Sequence, residues 1–264
     1  MSRLFASLLL VEHNENPPRV GANSTIKTNL RTKSKVMKTY DKESLVYYSK
    51  RFASQGGRHI DLTEKRLLAR YVSGPSLLEV GTASGRFVGF VERMGWDYTG
   101  IDISAQMLRL SNSNGCKLVQ GDGEEIPLRS SIFNMVFCLH TFHFIPEPLR
   151  CVEESYRVLK EGGFLFLIFE TDNWLRRLSL KTGLFESDQW YFTLAEVAGM
   201  MRNCGLTPVA TGPVLKFPMA FYRRLPFTKL LKQLDASRNW PGWLATLGFV
   251  IGRKEGKPQA GALA

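Results

Sequence analysis

The chain of 264 residues has little of what builds metal or redox centres: four cysteines and four histidines. Cys116, Cys138, Cys151 and Cys204 show no C-x-x-C spacing. Their mostly apolar surroundings read as buried, reduced thiols, so no metal site is expected. Long apolar runs are also missing. Leu4–Val11 is an apolar run of eight interrupted by Ser7, far short of the ~20 residues of a membrane span. One arginine precedes it and no clear A-x-A cleavage site follows, which disfavours a signal peptide. No internal repeat is present. Negative charge is in deficit, with 24 Asp and Glu against 35 Lys and Arg and a net charge of +11. Such an excess suits nucleic acid, an anionic membrane surface or an acidic substrate. It is uneven: residues 1–36 carry six basic side chains against two acidic ones, and residues 213–242 six against one.

Residues 12–36 are polar, with Pro17, Pro18 and Gly21, and read as disordered. The reading is a disordered basic tail over 1–36, a folded domain over 37–256 with a natural start near Met37, and a second disordered tail over 257–264. Tyr40 to Tyr71 reads as two helices separated by Gly56–Gly57. Leu45, Tyr48 and Phe52 share one face of the first, and Leu62, Leu67, Leu68 and Tyr71 one face of the second.

The most informative stretch is Leu77 to Arg86. Leu77–Val80 reads as a buried strand, and a small-residue turn leads into apolar positions at helical spacing (Phe87, Val88, Phe90, Val91, Met94). A strand breaking through glycines into a helix is how open α/β sheets make ligand crevices. Gly81 admits a sharp turn and close approach of a ligand, and free helix N–H groups face the crevice. The spacing E-x-G-x-x-x-G is not the dinucleotide G-x-G-x-x-G. A second strand ends in Asp102, 21 residues after Gly81, near the ~20-residue offset at which an acid reaches a ribose hydroxyl. Lys117–Gly121 is a third short strand running into Asp122–Gly123. Glu79, Asp102 and Asp122 thus converge on one crevice. Each has a plainer reading: turn glycines at Gly81 and Gly85, a helix cap at Asp102 in competition with Ser104, a turn at Asp122.

In order along the chain, LLEVGTASGRF, YTGIDISAQML, LVQGDGEEIPL, FNMVFCLHTFHFI and ESYRVLKEGGFLFL resemble the class I S-adenosylmethionine-dependent methyltransferases, in particular the ubiquinone/menaquinone (methyltransferase type 11) branch. The resemblance covers residues 77 to about 170. Alternation of strand and helix already implies a parallel sheet with helices on both faces. The resemblance adds a doubly wound, Rossmann-like, seven-stranded sheet of order 3-2-1-4-5-7-6 with strand 7 antiparallel. It also implies the cofactor S-adenosyl-L-methionine and its contacts. Gly81, Ala83 and Gly85 would line the amino-acid and ribose portion, and Glu79 the methionine amino end. Asp102 would hold both ribose hydroxyls, Ile103 and Met107 would lie against adenine, and Asp122 with Gly123 would take the adenine amino group. Leu139 would lie near the methionine portion, and an N-terminal helical segment with Tyr40, Tyr47 and Tyr48 over the site.

His140 and His143, just after the fourth strand, are the catalytic candidates, since neutral imidazole can take a proton at physiological pH. Either can equally cap a helix or pack. Asn134 stands where the family usually has Asp. Residues 213–242, with Phe217, Phe221, Tyr222, Phe227 and Trp240 among basic residues and four prolines, read as a substrate-side cap suited to an apolar or anionic acceptor, or to peripheral membrane contact. Base-methylating relatives usually carry an Asn/Asp-Pro-Pro-aromatic motif after the fourth strand. Leu139–Phe142 lacks the prolines, which disfavours nucleic acid. The expectation is a cytoplasmic enzyme methylating a small or lipid-like acceptor. The alternatives are a non-catalytic cofactor-binding or scaffold protein of the same fold, or an RNA or protein methyltransferase.

Overall fold

In the computed structural model, residues 32–43, 52–72, 74–111, 116–173, 189–217, 222, 233 and 245–256 are described. The strands are β1 (Ser76–Val80), β2 (Asp97–Asp102), β3 (Lys117–Gln120), β4 (Phe133–Leu139), β5 (Leu159–Glu170), β6 (Leu206–Leu215) and β7 (Leu247–Lys254). Around them lie α1 (Lys33–Glu43), α2 (Gln55–Tyr71), α3 (Val88–Arg93), α4 (Ala105–Arg109), α5 (Pro148–Val158) and α6 (Leu194–Asn203), with a 3-10 turn at Phe142–Phe144. The seven strands form one sheet in the order β3-β2-β1-β4-β5-β7-β6. All neighbours from β3 to β5 pair in parallel, and β7 runs antiparallel to both β5 and β6. The doubly wound sheet and its reversed last strand are as the resemblance implies.

Strand side chains alternate between faces, and the sheet uses both. Leu78, Val80, Val136, Cys138 and Leu165 pack with Cys151 and Val152 of α5 and Val197 and Met201 of α6. Leu77, Met135, Phe137 and Phe166 pack on the other side with Ile60 and Leu68 of α2 and Val91 of α3. Helices α2 and α6 start where their sequences supply caps. Ser54 Oγ accepts from Gly57 N–H at 3.0 Å at the start of α2. Thr193 and Glu196 form a reciprocal capping box on α6.

Several boundaries differ from the sequence reading. The division at 36/37 falls inside α1, which begins at Lys33 and buries Val36. Gly56 and Gly57 do not separate two helices; they belong to the first turn of α2. A Cβ on Gly56 would lie 1.5 Å from the Tyr222 carbonyl oxygen, so packing, rather than a break, requires the glycine. Gly162 and Gly163 do not stop a helix: α5 ends at Val158 and the glycines lie inside β5, Gly162 at φ +75°. The proposed cap begins within β6, and most of 213–242 lies outside the described residues, as do Leu45, Tyr47, Tyr48, residues 1–31 and 257–264. Asn134 accepts from Ser76 Oγ at 2.6 Å and Lys160 Nζ at 3.3 Å. No helix among the described residues is long and apolar enough to cross a membrane.

Candidate active site

A cleft of about 690 Å³, open to solvent, lies at the carboxyl ends of β1 to β4. Its floor is the turn after β1. Gly81 and Thr82 N–H both donate to the Ile101 carbonyl, at 2.8 and 3.0 Å, which carries the chain across the end of β2. Gly81 sits at φ +79°, with space for a Cβ already filled by the Thr141 side chain. Ala83 and His140, both on the cleft wall, are non-glycine residues at positive φ (+50° and +63°). Such conformations cost on the order of 1–2 kcal/mol each and persist only where surrounding structure imposes them.

Asp102 connects the two turns. Its Oδ2 accepts from Ala83 N–H at 2.8 Å and its Oδ1 from Ser104 N–H at 2.9 Å. Burial pushes its carboxyl above the usual range, and these two bonds oppose that shift. Ser104, not Asp102, caps α4, its Oγ accepting from Met107 N–H at 3.1 Å. The same hydroxyl is bonded to Asp41 Oδ1 of α1 at 2.5 Å.

After β3, Asp122 Oδ1 accepts from Glu124 N–H at 2.9 Å. Lys33 Nζ lies 2.7 Å from Asp122 Oδ2 and 2.5 Å from Glu124 Oε2. Helix α1 therefore straps the cleft, tied at one end to the loop after β3 and at the other to the loop after β2. Val36 and Tyr40 face the cleft from its underside, and Tyr40 meets Phe144 edge-on at 5.8 Å.

A second polar group is buried behind the wall. The Tyr98 hydroxyl donates to Glu79 Oε2 and lies 2.5 Å from Thr82 Oγ1. Burial lifts the Glu79 carboxyl to about 7, against the lowering effects of Tyr98 and Arg86. Arg86, stacked between Phe52 and Phe87, donates to Glu64 Oε2 at 2.6 Å and Asp61 Oδ1 at 3.1 Å. Glu64 Oε1 is paired with His140 Nε2. Burial alone would raise the Glu64 carboxyl, but the charges and hydrogen bonds of Arg86 and His140 bring it down to about 2.

Gly81, Ala83, Asp102, Ile103, Asp122, Gly123 and His140 thus line one cleft. Glu79, Gly85, Met107, Leu139 and His143 are not among its lining residues. Glu79 faces Tyr98, and the Gly85 Cα faces Ser111 and Val88. Met107 and Leu139 are core residues, and His143 is buried with its ring 4.4 Å from that of Phe144. Sequence reasoning missed Lys33, Asp61, Glu64 and Arg86. Glu64 left a trace: it stands midway between the buried Ile60 and Leu68 at four-residue spacing, an acid in the apolar stripe of a helix. Among the described residues no group of three His, Cys, Asp or Glu side chains is disposed to hold a metal.

Residues 78–167 match a family model described as a methyltransferase domain. An uncharacterized protein of Methanocaldococcus jannaschii is 27% identical over 160 residues, 58% of this chain and 76% of that protein. A phthiotriol/phenolphthiotriol dimycocerosates methyltransferase of Mycobacterium ulcerans is 29% identical over 113 residues, 40% of this chain and 42% of the relative, so the chain spans less than half of that protein. Among solved structures, a SAM-dependent methyltransferase from Thermotoga maritima superposes with a TM-score of 0.63 at 19% identity, covering 82% of this chain and 98% of its own. A 4+2 cyclase also reaches 0.63, at 17% identity, covering 86% and 98%. At such identities the structural likeness speaks for the fold alone.

Proposed function

We propose that the chain, whose residues 78–167 match a methyltransferase-domain model, is an S-adenosylmethionine-dependent methyltransferase acting on a small or lipid-like acceptor in the cleft above β1 to β4. The observation that carries this reading is Asp102. A carboxylate offers about four acceptor positions, and two are taken by the Ala83 and Ser104 amides. Two remain, the number a ribose diol needs, and Asp102 lines the cleft. Ile103 and Val80 supply an apolar wall and Gly81 a close approach, so the residues present fit the cofactor.

Bound there, the cofactor supplies an electrophilic methyl group on a sulfonium. The chain's own task is then to hold two reactants in line and exclude water. Asp102 and the Gly81–Ala83 turn orient one reactant. Asp122, paired with Lys33, would accept from the amino group on the cofactor's base. Val36, Tyr40 and Phe144 close the cleft with apolar surface. The lipid-like class of acceptor is favoured by that surface and by the phthiotriol-related acceptors named for the mycobacterial relative.

A second reading has one observation in its favour: the same fold carries a 4+2 cyclase. Under it the protein binds the cofactor without transferring its methyl group. Calorimetric titration of the full chain with S-adenosylmethionine, beside Asp102→Ala, tests the first step. Micromolar binding lost in the variant supports the cofactor assignment, and no binding to the wild type overturns it. Release of S-adenosylhomocysteine in the presence of phenols, hydroquinones and amines then separates the two readings, because a binder yields none.

A further inference from the structure

His140 reaches the cleft from a conformation that its own backbone disfavours. It follows β4 at φ +63°, its N–H donates to the Ile168 carbonyl at 3.2 Å, and its side chain is buried. What it meets inside is Glu64, fully buried on α2 and paired with Nε2 of the ring. Glu64 is in turn gripped by Arg86 at 2.6 Å, and Arg86 by Asp61 at 3.1 Å. Asp61 also accepts from Lys65 Nζ at 2.7 Å. Breaking a buried pair strands a charge, so the network is also a commitment of fold stability to one ring orientation.

We propose that Glu64, fixed by Arg86, is a positioning residue that holds His140 with Nε2 protonated and presents its Nδ1 lone pair to the acceptor as the proton-accepting group of the methyl transfer. The proposal rests on the methyltransferase reading above. The logic is one of donors and acceptors. An ionised carboxylate only accepts, so Nε2 must be the ring nitrogen that carries hydrogen, and in the neutral ring Nδ1 is then the basic one. Asp61 and Glu64 are matched in charge by Arg86 and Lys65. Glu79 also acts on Arg86, and Tyr98 is hydrogen-bonded to Glu79.

In the step itself, Nδ1 takes the proton of an acceptor O–H or N–H. The electron pair of that bond forms the new bond to the methyl carbon. The carbon–sulfur pair stays on sulfur, giving S-adenosylhomocysteine, and the imidazolium returns its proton to solvent.

The test uses the full chain labelled with nitrogen-15 in histidine. Long-range proton–nitrogen spectra, with His140→Asn to assign the signal, report the tautomer without any turnover. The expected result is the Nε2–H form in the wild type, lost or reversed in Glu64→Gln, whose amide can donate to Nε2. An Nδ1–H tautomer in the wild type overturns the proposal. The second arm measures S-adenosylhomocysteine release with the panel of phenols, hydroquinones and amines. Glu64→Gln and His140→Asn are each expected to lower kcat at least about 100-fold while S-adenosylmethionine affinity stays within twofold, with partial rescue by Glu64→Asp. A kcat within threefold of wild type in both variants overturns this proposal alone. A wild type that binds no S-adenosylmethionine, or releases no product with any member of the panel, overturns the underlying reading and this proposal with it.

Discussion

Ala83 N–H donates to Asp102 Oδ2 at 2.8 Å, tying the turn after β1 to the end of β2. One carboxylate therefore both shapes the cleft floor and faces into it. Asp102→Asn keeps the size but presents an N–H₂ to one of the two backbone donors at Ala83 and Ser104. Hydrogen bonds to a charged group are worth about 1.5–3 kcal/mol each. Losing two toward the cofactor corresponds to a Kd rise of about 100-fold or more. Calorimetric titration checks this, with thermal melting to establish that the variant remains folded. Affinity within threefold of the wild type would remove Asp102 from the cofactor contacts.

The Lys33 strap makes a different kind of prediction, because its ammonium is partly exposed. Such ion pairs contribute about 0–1 kcal/mol, so Lys33→Ala should change the global melting temperature little. It should instead release α1 locally. Tryptic cleavage at Lys35 and Lys38, read by mass spectrometry under native conditions, is expected to accelerate several-fold in the variant and in the wild type at high salt, where the pair is screened. Unchanged cleavage would mean that Asp41–Ser104 and the Tyr40 contact hold α1 without it.

Local sequence logic reached as far as one strand and the turn after it. Gly81, Asp102 and Asp122 were legible because each stands at a strand end, where a glycine or an acid breaks an apolar run. Sheet order was not legible from periodicity, since parallel strands buried on both faces look alike; it came with the resemblance. The Arg86–Glu64–His140 network was invisible because its members lie 22 and 76 residues apart, and only packing of α2 on the sheet joins them. Lys33 was read as part of a polar tail for the same reason: nothing local shows that its partners follow β3.

The two buried carboxyls should pull stability in opposite directions with pH. Glu64 is lowered from 4.5 to about 2, so its contribution is present above about 4.5 and is lost as pH falls toward 2. Glu79 is raised from 4.5 to about 7, so its contribution is present below about 4.5 and is lost as pH rises through 7. Glu79→Gln removes the second dependence. Relative to the wild type, the variant is expected to gain in melting temperature between about pH 5 and pH 7 and to level off toward pH 8. Parallel melting curves across that range would contradict the assignment.

Gly81 and Gly95 separate backbone strain from contact at the cleft floor. Both sit at positive φ, +79° and +70°. An added Cβ at Gly95 would meet nothing within 4 Å, whereas at Gly81 it would lie 2.1 Å from Thr141 Oγ1, 2.4 Å from its Cγ2 and 2.6 Å from its Cβ. Gly95→Ala should therefore cost only the conformational part, about 1–2 kcal/mol. Gly81→Ala bears that cost and must also displace Thr141 bodily, since the clash is with the whole side chain and not a flexible tip. Its loss of melting temperature should be at least twice that of Gly95→Ala. Thr141→Ala removes two of the three close atoms, so the double variant should recover part of the loss, a non-additivity expected of residues in contact. Because Thr141 also lines the cleft, S-adenosylmethionine affinity should fall in Gly81→Ala and stay unchanged in Gly95→Ala. Equal effects of the two glycine variants on both readouts would mean that φ alone, and not the packing of the two turns, fixes the glycine at position 81.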